Sequence, residues 1–211
     1  MRQRRKNQNM NKLVSHLLKL PIDIGQAEKK HISAGKRIAF SFIPSGKGKT
    51  ALDIGCRDGF WSDMLKKKGY IVRSLDIEPH YKDALVHDVE KGLPFEKNSV
   101  DLVWCTEVLE HLHNPSLLIR EIDRIGKSGG VAILTTPNSA WWLYPVVGIW
   151  GWTPKKLQNI DHKQFFDYEG LARIAKGYDV SGYFPYAFFF FKIKSLIWLL
   201  SPTFILTKKF K

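Results

Sequence analysis

Asp53, Asp76, Asp88, His111 and His162 draw attention through their positions relative to one short glycine turn. Ala51, Leu52 and Ile54 form an apolar run that reads as a buried strand. The run breaks at Gly55, and the loop to Gly59 leads into a helix with Phe60, Met64 and Leu65 on one side. A strand, a glycine turn and a helix place a ligand at the helix N-terminus, beyond the carboxyl end of the strand. A dinucleotide loop would need Gly-x-Gly-x-x-Gly, but Arg57 and Phe60 occupy the later glycine positions. The Asp53 carboxylate beside the loop would repel a pyrophosphate, whereas a cationic ligand suits it. Asp76 lies 21 residues beyond Gly55, where a carboxylate can accept hydrogen bonds from both ribose hydroxyls of an adenosine. His111 and His162 are the candidate bases, with Asp161 beside the second as an orienting group.

Leu52, Asp53, Gly55, Cys56 and Gly59 together resemble the first motif of the class I S-adenosylmethionine-dependent methyltransferases. The departure is Arg57, which stands where that motif has its middle glycine. The resemblance covers residues 50–140 and includes Leu93-Pro94-Phe95, the run 99–103 and Glu107-Val108-Leu109-Glu110-His111. These segments are similar to the small-molecule, ubiquinone-biosynthesis-like branch of the family. The resemblance implies S-adenosyl-L-methionine as cofactor and methyl transfer, at oxygen, by in-line displacement. It assigns Asp53, Gly55, Cys56, Gly59, Asp76, Ile77, Asp88, Val89, Cys105 and Thr106 to the cofactor. Asp88 would meet the adenine amino group, with the Val89 amide beside it. His111 and His162 would face the acceptor.

The elements that position these residues follow from the hydrophobic pattern. Strand-like and helix-like segments alternate from residue 51, as in a parallel sheet flanked by helices. Strands are expected at 71–77, 84–86, 100–105, 130–136 and 178–183, and helices at 117–125 and 168–175. The fold expected is α/β, a doubly wound, mostly parallel Rossmann-like sheet of six or seven strands. The family's antiparallel seventh strand could come only from residues 204–210. His111 is expected on the helix after the fourth strand.

The net charge of +13 is unevenly spread. Residues 1–50 carry a balance of +10 and residues 187–211 a balance of +5, while residues 51–186 carry −2. The body that would hold the site is near neutral, so the basic ends suit attachment to an anionic surface better than a basic channel. The organisation expected is a basic arm with helices over 1–49, a core over 50–186, and an apolar-basic segment over 187–211. Within the arm, 13–20 reads as a short amphipathic helix and 27–40 as another. No uninterrupted apolar run marks a secretory signal, and the two cysteines make no disulfide framework. A cytoplasmic protein, peripheral on a membrane through residues 1–20 and 187–211, is the expectation. Lys192, Lys194 and Pro202 interrupt the apolar stretch over 187–206, which favours an interfacial segment over a span.

The connector 137–166 holds Trp141, Trp142, Tyr144, Trp150 and Trp152, which read either as a wall or lid over an acceptor pocket or as ordinary packing. A small or lipid-linked acceptor fits these features. Two other readings stand beside it: an RNA or protein methyltransferase using the basic arm, and a non-catalytic domain binding the same cofactor. Nucleic acid is disfavoured because Cys105-Thr106-Glu107 stands where base-amine methyltransferases carry Asn/Asp-Pro-Pro-Tyr. No group of cysteines, histidines and carboxylates has the sequence spacing of a metal site, so none is expected.

Overall fold

A computed structural model describes residues 33–149, 161–186 and 189–211. The helix read over 13–20, most of the basic arm, and Trp150 and Trp152 lie outside the described residues.

The first strand, β1 (Thr50–Ile54), is buried from Ala51 onward and runs between β2 (Ile71–Asp76) and β4 (Val100–Thr106). β3 (Ala84–Val86) lies outside β2, and β5 (Gly126–Pro137) lies on the other side of β4. These pairings are all parallel. The chain leaves β1 towards β2 and β3, then returns to the opposite side for β4. That reversal of direction creates a crevice at the carboxyl ends of β1 and β4.

The remaining strands are β6 (Asp179–Tyr186), β7 (Phe189–Ile193) and β8 (Thr203–Lys209). β8 inserts between β5 and β6, antiparallel to both, and β7 closes the sheet as the hairpin partner of β6. The order is β3-β2-β1-β4-β5-β8-β6-β7. The doubly wound sheet is as expected; among the described residues it has eight strands, β7 included, against the six or seven expected.

β8 takes the end of the apolar C-terminal stretch into the sheet. Phe204, Ile205 and Leu206 are fully buried within the sheet. A strand covered on both faces is apolar without alternation, so its sequence cannot be told from that of a surface-seeking segment. Among the described residues, no helix is long and apolar enough to cross a membrane.

Successive residues of the central strands feed opposite faces. Leu52, Ile54, Val103, Cys105, Leu134, Phe204 and Leu206 pack on one side with α3 (Pro115–Ile125) and α5 (Tyr168–Ile174). Ala51, Leu102, Trp104, Ile133 and Ile205 pack on the other with α1 (Ala34–Ser41) and α2 (Phe60–Lys67). There Trp61 meets Phe40 at 4.9 Å and Trp104 at 5.1 Å between ring centroids. This aromatic stack anchors α2, and with it the loop that precedes it. The two short helices α4 (Leu143–Gly148) and α6 (Ile197–Leu200) meet at the far side of the sheet. Trp142 N–H donates to Leu199 O, and Trp141 Nε1 to Leu200 O. Trp141 and Tyr144 are thereby buried as packing residues, while Trp142 stays half-exposed.

Candidate functional site

The loop from Gly55 to Gly59 leaves the carboxyl end of β1 and is tied to β2. The Gly55 and Cys56 amides both donate to Leu75 O, at 2.9 and 3.2 Å. Gly55 and Gly59 have φ of +76° and +79°. Space as well as backbone demands glycine here, since a Cβ on Gly55 would run into Val108 and one on Gly59 into the Tyr81 ring.

Arg57, the departure from the family motif, also has a positive φ, +50°. An L-residue there costs about 1–2 kcal/mol, which explains why glycine is the ordinary occupant. An amide–carboxylate bond offsets the cost: Arg57 N–H donates to Asp76 Oδ2 at 2.8 Å. Glu78 N–H donates to Asp76 Oδ1 at 3.0 Å. Both Asp76 oxygens therefore have fixed directions, and each keeps a lone pair for a further donor.

Asp53 is buried beneath this loop. Ser62 Oγ donates to its Oδ2 at 2.6 Å and lies 2.7 Å from Ser74 Oγ. Burial raises the Asp53 carboxyl to about 7, with Asp76 adding to the rise; the Ser62 bond and the Lys36 charge pull against it. A cation placed above the loop would restore its ionised form. Ile77 is exposed next to Asp76. Asp88 caps the short 3-10 turn Val89–Lys91 by accepting from Glu90 N–H at 2.9 Å, which leaves Val89 buried beside it.

Cys105 and Thr106 end β4, opposite Leu134 and Thr135 of β5. Both cysteines are buried. Burial pushes the Cys56 thiol up to about 12 and holds the Cys105 thiol well above its ordinary range. Neither can serve as a thiolate nucleophile at neutral pH.

Beyond β4 the chain makes a left-handed step at Glu107, φ +58°, whose Oε1 accepts from Thr135 Oγ1 at 2.8 Å. His111 then falls on the 3-10 turn Leu109–His111 rather than on a full helix. The reason is Asn114, which caps α3 and starts it at Pro115, so the motif is left as a separate turn. The segment carrying His162 docks on that turn through the Lys163 and Gln164 amides, which both donate to Glu110 O at 2.8 and 2.9 Å. The His111 and His162 rings consequently meet edge to face, 4.8 Å between centroids. Asp161 is exposed.

Sequence reasoning did not single out Glu110. It is 1% exposed, and its Oε2 accepts from Thr136 Oγ1 at 3.1 Å. Burial, reinforced by the nearby Glu107, raises its carboxyl well above the usual range. Asn138 was also missed. It is fully buried, and its Nδ2 donates to Trp198 O and Ser201 O, both at 2.8 Å. The only sequence signal for Glu110 was its place in the Glu-x-x-Glu-His pattern; Asn138 had none.

The fold is the one seen in solved S-adenosylmethionine-dependent methyltransferases. A solved S-adenosylmethionine-dependent methyltransferase from Archaeoglobus fulgidus superposes with a TM-score of 0.61 at 19% identity, covering 82% of this chain and 91% of that one. Another from Mesorhizobium loti gives 0.60 at 13% identity, covering 82% and 95%. Residues 52–134 match the family described as "Methyltransferase domain". Among curated proteins, the ubiquinone biosynthesis O-methyltransferase of Pseudomonas paraeruginosa is 32% identical over 117 residues, 48% of this chain and 50% of that protein. Its counterpart from Idiomarina loihiensis is 29% identical over 146 residues, 60% and 59% respectively. The chain thus spans about half the length of the curated relatives it matches.

Proposed function

We propose that this chain binds S-adenosyl-L-methionine at the β1 loop and directs its methyl group to an oxygen of a small, lipid-linked acceptor. The observation that carries the reading is the tie between the Gly55–Gly59 loop and Asp76 at the mouth of the β1/β4 crevice. When bound there, the cofactor supplies an electrophilic methyl group and its own leaving group. The protein's task is then alignment and exclusion of water. Asp76 would accept the ribose hydroxyls, Asp88 and the Val89 amide would meet the adenine, and Ile77 would flank it. Gly55, Cys56 and Gly59 give the close backbone approach. Cys105 and Thr106 form the floor at the end of β4. Asp53 supplies the buried negative charge. His111 and His162 lie on the acceptor side of Val108, where an imidazole can orient an acceptor hydroxyl and take its proton.

A lipid-linked acceptor is supported by an exposed apolar face. Trp142, Val146 and Ile149 from the α4 segment, with Leu196 and Trp198 from the α6 segment, are all exposed, and Lys192 and Lys194 are exposed nearby. Aromatic and basic groups together suit the headgroup region of an anionic bilayer. The reading is therefore of a cytoplasmic enzyme, peripheral on a membrane through this face and the basic arm 1–20.

Calorimetry with S-adenosylmethionine tests the first part, and absence of binding rejects it. Incubation with labelled cofactor and fractionated extract tests the acceptor: label in lipid supports the proposal, and label only in RNA or protein overturns it. Sedimentation with anionic vesicles tests the surface. Trp142→Ser with Trp198→Ser should move the protein to the supernatant, and unchanged pelleting sinks the docking face.

A further inference from the structure

The turn between β2 and β3 lies along the glycine loop and grips its second half. The Asp76 carboxylate accepts from Arg57 N–H at 2.8 Å, and His80 N–H donates to Arg57 O at 2.9 Å. Two residues further along each chain, the Tyr81 ring covers Gly59 so closely that a Cβ there would run into it. The ring is itself braced from α2: Tyr81 Oη accepts from Lys66 Nζ at 2.7 Å and donates to Asp63 Oδ1 at 2.8 Å. We infer that Tyr81 is a positioning residue, a latch that holds the Gly55–Gly59 loop in the shape that receives the cofactor. The latch stands on this geometry; that the loop it shapes is a cofactor site rests on the methyl-transfer reading above.

The loop needs such support. Gly55, Arg57 and Gly59 all have positive φ. Glycine loses the most freedom when its backbone is fixed, and Arg57 resists this conformation outright. Bonds to Leu75 O secure the Gly55 and Cys56 amides, which leaves Arg57–Gly59 to be held from the β2–β3 turn. A loop already in its bound shape need not be ordered by its ligand, so its preorganisation is read as affinity.

The chemistry calls for tyrosine. An aromatic ring offers the flat face that packs on a bare glycine Cα. The hydroxyl donates one hydrogen bond and accepts another, which suits an acid and a lysine placed one helical turn apart on α2. Lys66 also sits 5.2 Å from the centroid of the Tyr81 ring and 3.6 Å from Asp83 Oδ2, so it engages the turn twice. Tyr81 O accepts from Ala84 N–H at 3.0 Å, which ties the turn to the start of β3. Gly59 opens α2, and α2 supplies Asp63 and Lys66. The loop, the helix and the tyrosine therefore close a ring of contacts around the end of the glycine turn.

The test is calorimetry of the full chain with S-adenosylmethionine, alongside hydrogen exchange of the cofactor-free protein. Tyr81→Ala should weaken binding tenfold or more and quicken exchange at amides 57–60 and at His80, with β1 and β4 unchanged. Tyr81→Phe keeps the ring and loses both hydroxyl bonds, so it should weaken binding by about threefold. Lys66→Gln separates the latch from simple charge. Removing a positive charge would by itself tighten binding of a cationic ligand, whereas loosening the latch weakens it. Lys66→Gln should also add nothing in the Tyr81→Phe background. If Tyr81→Ala fails to fold, Tyr81→Phe and Lys66→Gln carry the test. Full affinity in a folded Tyr81→Ala, or tighter binding in Lys66→Gln, overturns the latch. Absence of S-adenosylmethionine binding by the wild-type chain removes the methyl-transfer reading instead. The latch is then decided by exchange: faster amides 57–60 in Tyr81→Ala support it, and unchanged ones overturn it.

Discussion

The Arg57 amide donates to Asp76 Oδ2 at 2.8 Å, so the glycine turn after β1 and the acid at the end of β2 form one unit. The bond needs only the backbone of Arg57, held at a φ that an L-residue adopts at a cost. Arg57→Gly should therefore keep the bond and stabilise the fold by about 1 kcal/mol, measured by denaturant unfolding. Asp76→Asn keeps the size but turns an acceptor pair into one acceptor and one donor. It should weaken S-adenosylmethionine binding roughly tenfold or more in calorimetry while leaving the fold intact. Full cofactor affinity in Asp76→Asn would remove Asp76 from the ribose.

On the proposed reading, Asp53 should make cofactor binding pH-dependent. Its carboxyl titrates near 7 in the free protein because it is buried, against 3.8 ordinarily. The folded value exceeds the unfolded one, so the neutral form favours folding, and stability falls as pH rises from about 4 to about 7, then levels off. A cationic ligand favours the ionised form and works in the opposite direction. Binding below pH 7 should release a proton, and affinity should fall by up to about tenfold per pH unit on acidification. Calorimetry in buffers of different ionisation heat measures the proton. Asp53→Asn should abolish the release, and a release unchanged in that variant would assign it to another group.

What the sequence made legible was local. Asp53 and Asp76 lie at the carboxyl ends of β1 and β2, Gly55, Gly59 and Asp88 follow a strand by a few residues, and the crevice forms where strands end. What it concealed depends on pairing. Nothing local says that 203–209 enters the sheet between β5 and β6, because that place is set by registers such as Leu134 with Leu206 and Val180 with Leu206. Glu110 looks like a surface acid in a polar motif. Its burial comes from Thr136 on β5 and from the loop that docks over it. His111 and His162 were both visible as histidines, but their meeting depends on the backbone amides of Lys163 and Gln164, just beyond His162, reaching the Glu110 carbonyl.

Acid sensitivity should arise at the other end of α3. Arg124 clasps Glu121 with two bonds, Nε to Oε1 at 2.8 Å and Nη2 to Oε2 at 2.7 Å, and Leu93 N–H adds a third at 2.8 Å. The Arg124 bonds hold the Glu121 carboxyl down to about 2, against 4.5 ordinarily. A depressed folded value means that the stabilisation is complete above about pH 4.5 and is lost as pH falls towards 2. Arg124 is about one-third exposed, so the pair is worth about 1–2 kcal/mol rather than the full shift. Glu121→Gln should cost that much in urea unfolding at neutral pH, and the difference from wild type should shrink towards zero near pH 2. A cost independent of pH would show that packing, not charge, is what Glu121 supplies.

Asn138 joins the end of β5 to the C-terminal turn. Its Nδ2 reaches the carbonyls of Trp198 and Ser201, its Oδ1 accepts from Ala140 N–H at 2.9 Å, and its own amide donates to Pro202 O at 2.9 Å. The side-chain amide thus holds α6 against the α4 segment, and both halves of the exposed apolar face depend on that contact. Asn138→Ala strands buried carbonyls and should cost about 2–4 kcal/mol. Asn138→Asp preserves volume but replaces the donor with an acceptor facing two carbonyls, so it should cost more. Thermal unfolding reads the loss. Hydrogen exchange should localise it to amides 197–201, with little change in β1 and β4, because the central strands share no hydrogen bond with Asn138. If the membrane face is built by this contact, Asn138→Ala should also weaken vesicle binding without altering any residue that touches lipid. Intact vesicle binding in a variant with fast exchange at 197–201 would show that the two tryptophans act independently of the turn beneath them.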